Sequence, residues 1–265
     1  MKFYLDSPTL ITCSPGPAYF GVSNLKHHNI NQLSDSERAV GQHLELVKTI
    51  EHTGTKVINL KEMPGHPNSV FTKDTACCLP QGYVRLRMGL PSRNGEEQWM
   101  ADTLESFGKP MLFSIEPPGM VEGGDVILAE KVAFIGHSSR TNRAGTEQLG
   151  TFLKKFGYAV RNVQVPAPFL HLGGTMTLVA PDTILCVGRL FPDPLLKGFH
   201  VIEVPNTGFI SGNVIPLPDR QIIADQANTS AVNTLADNGF ELFSLDLSEF
   251  VKGTGGPSCL ILNVT

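Results

Sequence analysis

A weak internal repeat constrains this chain more than any other feature. From Ala76 the residues read as strand, Pro80-Gln81-Gly82 turn, strand (Tyr83 to Met88), loop, then a helix from Gly95 to Gly108. From Asp125 they read as strand (Val126 to Ala129), a turn at Glu130-Lys131, strand (Val132 to Gly136), loop, then a helix from Ala144 to Gly157. A third unit begins at Met176 with a Pro181-Asp182 turn and a strand at Ile184 to Val187. A fourth begins at Asn213, turns at Pro218-Asp219, and continues as a strand (Gln221 to Ala224) and a helix from Ser230 to Gly239. Apolar or alternating runs around Pro, Gly and Asp are hairpin signals. Three of the helices stop at a glycine, the residue that takes a left-handed cap without steric cost.

The first quarter of the chain adds a helix from Asp35 to about Thr53, with Ser34 as its expected N-cap. Val40, Leu44, Val47 and Ile50 are expected to form its apolar face. A strand follows at Lys56 to Leu60, and Ser258 to Val264 reads as a C-terminal strand. Each unit is too small to bury a core alone, so the units must stack. Arranged about an axis they give an α/β fold with helices outside and strand ends facing a central cavity. No linker or low-complexity tract divides the chain, so residues 1–265 are read as a single domain. The stretch from Ser14 to Gln32 is polar and long for a loop, which suits a lid.

Composition narrows the function. The net charge is −4 and no basic stripe is present, which argues against a nucleic-acid partner. No apolar run approaches the roughly 18 residues of a membrane span. The first ten residues lack the apolar core of a secretory signal. Five cysteines, an odd number without zinc-type spacing, read as reduced thiols in a cytoplasmic protein.

A few residues stand out chemically. Cys259 follows Gly255-Gly256-Pro257-Ser258, a backbone able to come close to a ligand. His171 stands in Phe169-Leu170-His171-Leu172-Gly173-Gly174, just before a strand, and imidazole beside a thiol is a usual way to activate it. Glu122 and Asp125 flank two glycines after a Pro-rich, apolar approach. A buried carboxylate needs a partner, and a guanidinium supplies one through paired hydrogen bonds. Asp74 reads as the end of a short apolar strand. Arg87 reads as lying within a strand. Arg93 and Arg140 each follow the second strand of a hairpin, a repeated position from which they could hold a carboxylate. Taken singly, each residue is as well explained by a structural role. Together a thiol, an imidazole and two carboxylates at the ends of different repeats are the groups needed to attack a guanidinium carbon.

Asn68-Ser69-Val70-Phe71-Thr72-Lys73-Asp74, Glu122-Gly123-Gly124-Asp125, Ser138-Ser139-Arg140-Thr141-Asn142, His171-Leu172 and Gly255-Gly256-Pro257-Ser258-Cys259 occur in the order seen in guanidino-group-modifying enzymes. The chain resembles that superfamily, which includes dimethylarginine dimethylaminohydrolase, arginine deiminase and the amidinotransferases. The resemblance implies a five-bladed α/β propeller, the pentein fold. It implies Cys259 as nucleophile, His171 as acid and then base, Glu122 and Asp74 on the guanidinium, and Arg93, Arg140 and Asn68 on the rest of a small-molecule substrate. No metal or organic cofactor is implied, and a homodimer is compatible with it. Asn68 and Lys73-Asp74 depart from the Asp and Glu-Asp usual in dimethylarginine hydrolases. Gly173 stands where arginine deiminases carry a second acid, and the chain is too short for their extra helical domain. The pair Gly173-Gly174 is expected to leave room for a substituted guanidine. The expected activity is therefore dimethylargininase-like, with arginine deiminase or amidinotransferase as alternatives. A non-catalytic propeller, like the ribosome-binding translation factors, would be expected to lack the Cys, His or acid.

Overall fold

The computed structural model describes residues 9–188 and 190–264. Most of the N-terminal stretch read for a secretory signal lies outside the described residues. Five three-stranded sheets are arranged in one repeated order. The strands are β1 (Thr9–Cys13), β2 (Lys56–Leu60), β3 (Ala76–Leu79), β4 (Gly82–Arg85), β5 (Met111–Ser114), β6 (Val126–Leu128), β7 (Val132–His137) and β8 (Ala159–Gln164). They continue as β9 (Met176–Ala180), β10 (Thr183–Val187), β11 (His200–Val204), β12 (Ile215–Pro216), β13 (Gln221–Asp225), β14 (Glu241–Leu245) and β15 (Leu262–Asn263). In every sheet the central strand pairs antiparallel with one neighbour and parallel with the other. β4 lies between β3 and β5, β7 between β6 and β8, β10 between β9 and β11, and β13 between β12 and β14. The remaining sheet is closed by both ends of the chain: β15 runs antiparallel to β1, and β2 parallel to it.

This pattern follows from connection length. A short turn can join antiparallel strands, whereas parallel neighbours need a crossover, here a helix. The crossovers hold α2 (Ser36–His52), α3 (Glu96–Ser106), α4 (Arg143–Lys155), the short α5 (Asp193–Leu196) and α6 (Thr229–Asp237). Two further short helices are α1 (Pro17–Phe20) and α7 (Ser248–Val251). The caps agree with the sequence signals: Gly108, Gly157 and Gly239 follow α3, α4 and α6 with φ of 78°, 88° and 77°. Asn142 Oδ1 accepts the Gly145 N–H at 2.8 Å to start α4. Apolar side chains from neighbouring sheets meet between them. Phe134, Leu185 and Ile222, from three successive sheets, belong to one buried cluster. The five-bladed α/β propeller that the resemblance implied, with the units about an axis that the repeats suggested, is the fold observed.

Several local expectations are corrected. Asp35, not Ser34, caps α2, because its carboxylate accepts the Arg38 N–H at 2.9 Å while Ser34 Oγ donates to Glu249 O at 2.6 Å. The helix buries Ala39, Gln42, His43, Leu46 and Ile50, leaving Val40 and Leu44 41% and 49% exposed. Polar Gln42 belongs inside because it meets α7: its Nε2 donates to Ser248 Oγ and its Oε1 accepts the Glu249 N–H. The stretch read as a strand from Ser258 begins as a 3-10 turn, Pro257–Leu260, with only Leu262–Asn263 extended. Asp74 closes a 3-10 turn rather than a strand. Arg87 lies beyond β4, in an isolated bridge to Val121. The Ser14–Gln32 stretch is ordered by α1 and a 3-10 turn at Lys26–His28.

Candidate active site

In four of the five sheets a 3-10 turn leads into the strand nearest the axis. These turns are Thr72–Asp74 before β3, Gly123–Asp125 before β6, Leu172–Gly174 before β9 and Pro257–Leu260 before β15. Asp74 and Cys259 lie on such turns, and Glu122 and His171 are the residues just before them. The fifth sheet has a comparable turn, closed by Asn213 N–H to Ile210 O at 2.9 Å ahead of β12. Four blades therefore each bring one candidate site residue toward the axis at the same kind of turn.

His171 Nε2 lies 2.8 Å from Glu122 Oε2, and its Nδ1 lies 3.9 Å from Asp74 Oδ1. Burial alone would favour the neutral ring. The carboxylates of Asp74, Asp125 and Glu122 outweigh it and push His171 up to about 9. Glu122 is fully buried. Its Oε1 accepts the Gly89 and Leu90 N–H groups at 3.0 and 3.2 Å, and Arg140 Nη1 lies 3.3 Å away. Burial would raise the Glu122 carboxyl, but His171, Arg93 and Arg140 hold it well below the usual carboxylate range. Asp74 Oδ1 accepts the Gly124 N–H at 3.0 Å, and its Oδ2 meets Arg93 Nη1 at 2.5 Å.

Cys259 Sγ accepts the Gly256 N–H at 3.3 Å and faces Asn213 Nδ2 at 3.9 Å. Burial and the Asp74 charge push its thiol up to about 11, against the Gly256 hydrogen bond and the cations Lys73 and Arg93. The free site thus holds a neutral thiol and an imidazolium on one cavity. A guanidinium entering between Asp74 and Cys259 would favour the thiolate, because a nearby cation stabilises the charged form.

Two glycines are dictated by close approach. A Cβ on Gly124 would stand 2.7 Å from the His171 ring and 2.8 Å from Asp74 Oδ1. One on Gly255 would stand 2.1 Å from the Phe71 ring.

The sequence candidates gather in one place. Asn68, Asp74, Arg93, Arg140, His171 and Cys259 line a cavity of about 20 Å³, with Asn29 from the Ser14–Gln32 stretch at its edge. Asn68 Nδ2 donates to His28 O at 3.1 Å, and its Oδ1 is buried without a partner. The two arginines differ. Arg93 spends its donors on Asp74, Glu96 and the carbonyls of Asn68 and Phe71. Among the described residues, the polar contacts of the Arg140 side chain are to Glu122 alone, through Nη1, and its backbone N–H binds Ser138 Oγ. The expectation for Gly173-Gly174 is corrected: neither lines this cavity. A Cβ on Gly174 would sit 2.5 Å from Phe209 O, and one on Gly173 3.2 Å from Gly124 O, so both serve backbone packing. Asp74, Glu122 and His171 also offer donor atoms within 4.8 Å of one another, as a metal site would. A metal ion there would compete with Arg93 and Arg140 for the same carboxylates.

Three residues support the site: Glu96 and Asn213, which sequence reasoning missed, and Asp125, which the sequence singles out beside Glu122. Glu96 is fully buried and holds Arg93, with Oε2 accepting from Nε at 2.8 Å; its signal was an acid three residues after that arginine. Asp125 accepts the Leu172 N–H at 2.9 Å and the Ser138 hydroxyl at 2.6 Å, tying the His171 turn to the Glu122 turn. Asn213 Oδ1 accepts the Ser258 N–H at 2.8 Å, which fixes the Cys259 turn from the fifth blade. Its signal was its place at the start of the fourth sequence repeat.

Fold and site together define a hydrolase of guanidino C–N bonds, within the class of five-bladed guanidino-modifying enzymes. The family described as N,N dimethylarginine dimethylhydrolase, eukaryotic, matches residues 22–265, and the chain belongs to it. The chain is 28% identical to an N(G),N(G)-dimethylarginine dimethylaminohydrolase of Pseudomonas aeruginosa over 86% of this chain and 89% of that one. Identity is 31% to an uncharacterized protein of Aeropyrum pernix, over 86% of this chain and 84% of that one. Among solved structures, the dimethylarginine dimethylaminohydrolase of Pseudomonas aeruginosa, a cysteine-to-serine mutant complexed with citrulline, superposes with a TM-score of 0.85 at 26% identity, covering 96% and 98% of the two chains. The N-terminal domain of ArgZ, a cyanobacterial arginine dihydrolase, superposes at 0.86 with 22% identity over 98% of each chain, which bears on the fold alone. Among the described residues, no helix is long and apolar enough to cross a membrane.

Proposed function

We propose that this protein hydrolyses a methylated arginine to citrulline and dimethylamine through a covalent thiouronium on Cys259. The observation that carries the reading is the convergence of Cys259, His171 and Asp74 on one cavity, with His171 hydrogen-bonded to buried Glu122. Asp74, on the cavity wall, holds the guanidinium in its charged, electrophilic form, while Glu122, buried behind it, holds His171. Substrate charge promotes loss of the Cys259 proton to solvent. The thiolate attacks the guanidinium carbon and forms a C–S bond. His171, already protonated at neutral pH, gives its proton to the leaving nitrogen as the C–N bond breaks. Dimethylamine departs and leaves the thiouronium. Water then attacks the same carbon while the now neutral His171 takes its proton. The C–S bond breaks, the thiolate returns, the remaining hydroxyl proton passes to solvent and citrulline leaves. Arg140 supplies charge for the substrate α-carboxylate, and Arg93 organises Asp74 beside it.

Relatives named dimethylarginine dimethylaminohydrolase in Pseudomonas aeruginosa and Streptomyces coelicolor support this substrate class. An arginine deiminase of Listeria welshimeri, 25% identical over 74% of this chain and 61% of that one, keeps arginine itself as the competing substrate. The test is product analysis from arginine, monomethylarginine, dimethylarginine and agmatine. Citrulline appearing with dimethylamine supports the reading. Citrulline with ammonia from arginine alone replaces it with deimination, and transfer of the amidine to an added amine replaces it with an amidinotransferase.

A further inference from the structure

The wall behind the candidate active site is one residue thick. Asp74 and Cys259 line the small front cavity, while their chain neighbours Lys73 and Ser258 line a second cavity of about 440 Å³ on the other side. Gly123 and Gly124, which follow Glu122, also line the rear cavity, as does Gly173, two residues after His171. Around this floor the strands nearest the axis present mostly apolar walls, including Val126, Met176, Val214, Ile261 and Leu262.

Two donors on that floor have nothing to bind. Among the described residues the Lys73 ammonium has no hydrogen bond or ion pair, and the Ser258 hydroxyl has no hydrogen-bond partner. Lys73 is half-buried where it lines the cavity. A Cβ on Gly173 would stand 4.0 Å from Ser258 Oγ, so a side chain there would crowd the hydroxyl. A partly buried cation among apolar walls is costly unless an anion pairs with it. Glu130 lines the cavity from an exposed position and the Thr177 hydroxyl is spent on Gly212 O, so the half-buried Lys73, the unpaired Ser258 hydroxyl and the mostly apolar walls match a single negative charge on an apolar body.

We propose that the rear cavity is a binding site for a small monocarboxylate with an aliphatic or aromatic body, its carboxylate on Lys73 and Ser258. Lys73 helps the Cys259 thiol to ionise, so an anion bound there opposes that help from behind the wall. Occupancy of the rear cavity is thereby coupled to the nucleophile without touching the substrate. The site does not depend on which guanidine the enzyme hydrolyses.

The test uses isovalerate and phenylacetate as probes and isovaleramide as the uncharged control, with binding followed by calorimetry and protein-observed NMR. The expected result is saturable binding of both acids, no binding of the amide, and slower alkylation of Cys259 at fixed pH when an acid is bound. Lys73→Met weakens the acids at least about tenfold, as loss of a charge-assisted pair does, whereas Lys73→Arg retains them. Leu178→Trp, which fills the cavity wall from β9 without removing the charge, also blocks them and covers the case in which Lys73→Met does not fold. Absence of saturable binding to the wild-type protein overturns the proposal, as does binding unchanged in a folded Lys73→Met or Leu178→Trp variant. These readouts need no turnover, so they stand or fall apart from the substrate assignment.

Discussion

The Nε2 atom of His171 sits 2.8 Å from Glu122 Oε2, and that carboxylate is fully buried under Arg140 and two backbone N–H groups. The pairing sets the charge state of the ring. With His171 pushed up to about 9, the imidazolium is present through neutral pH and is available as an acid.

Glu122→Gln removes the partner that holds the proton. Asp74 and Asp125 still raise the His171 value, but without Glu122 it falls, and the ring loses its proton at a lower pH than in the wild type. Turnover should drop by roughly 10²–10³-fold at pH 8 and less at pH 6, moving the alkaline limb of the kcat profile to lower pH. A limb that stays in place would show that another group carries the proton. Stability follows the same sign. A histidine whose folded value is raised contributes fully below about 6.5 and loses that contribution as pH rises through about 9. Urea unfolding should therefore show a loss on the order of 3 kcal/mol across that window, much reduced in Glu122→Gln.

Alkylation reports on the thiol. With Cys259 pushed up to about 11, iodoacetamide should react slowly at pH 8 and faster through pH 10, following that ionisation. Cys259→Ser should abolish both the labelling and the covalent intermediate. Cys77→Ser should keep both, because Cys77 is buried and pushed up to about 12. An apparent value near that of an unperturbed thiol would mean that the free site already stabilises thiolate, by contacts other than those at Gly256 and Asn213.

The sequence carried the repeat because each blade reuses one local code: a turn rich in Pro, Gly or Asp between strands, and a glycine past the helix. It carried Cys259, His171, Glu122 and Asp74 because each stands beside glycine or at a strand entrance, where backbone approaches backbone. Other features were hidden because they depend on contacts distant in sequence. The inward face of α2 is decided by Ser248 and Glu249, about two hundred residues away, so counting apolar positions selected Val40 and Leu44. Gly173 looked like space beside a substrate, yet it packs against Gly124 O from the far side of the wall. Arg93 lines the site cavity, but the sequence does not reveal that Glu96, Asp74 and two backbone carbonyls occupy the donors it was expected to offer a substrate carboxylate.

Glu96 gives the third prediction. Its carboxylate is fully buried and shares the Arg93 guanidinium with Asp74. Breaking a buried ion pair by removing one partner leaves a charge uncompensated, at a cost of about 3 kcal/mol. Glu96→Gln should lower stability by that order and raise KM for an amino-acid substrate more than it lowers kcat, because Arg93, which aligns Asp74, loses its anchor. Glu147→Gln, which breaks the exposed pair between Glu147 and Arg143, should leave the unfolding midpoint unchanged. Equal effects of the two substitutions would deny Arg93 its buried anchor.

Glycine substitutions separate folding from chemistry. Gly41 lies in α2 with open space around its Cβ position, so Gly41→Ala should stabilise the helix by about 0.5–1 kcal/mol and leave turnover as it was. At Gly124 the added methyl would meet the His171 ring at 2.7 Å and Asp74 Oδ1 at 2.8 Å. Neither group can give way freely, since Asp74 is held by Arg93 and His171 by Glu122. Gly124→Ala should therefore cut kcat by at least about 100-fold, because small displacements of positioned groups are costly, while the protein remains folded by circular dichroism. A Gly124→Ala enzyme of normal kcat would mean that His171 need not stay against Glu122 and Asp74 during the reaction.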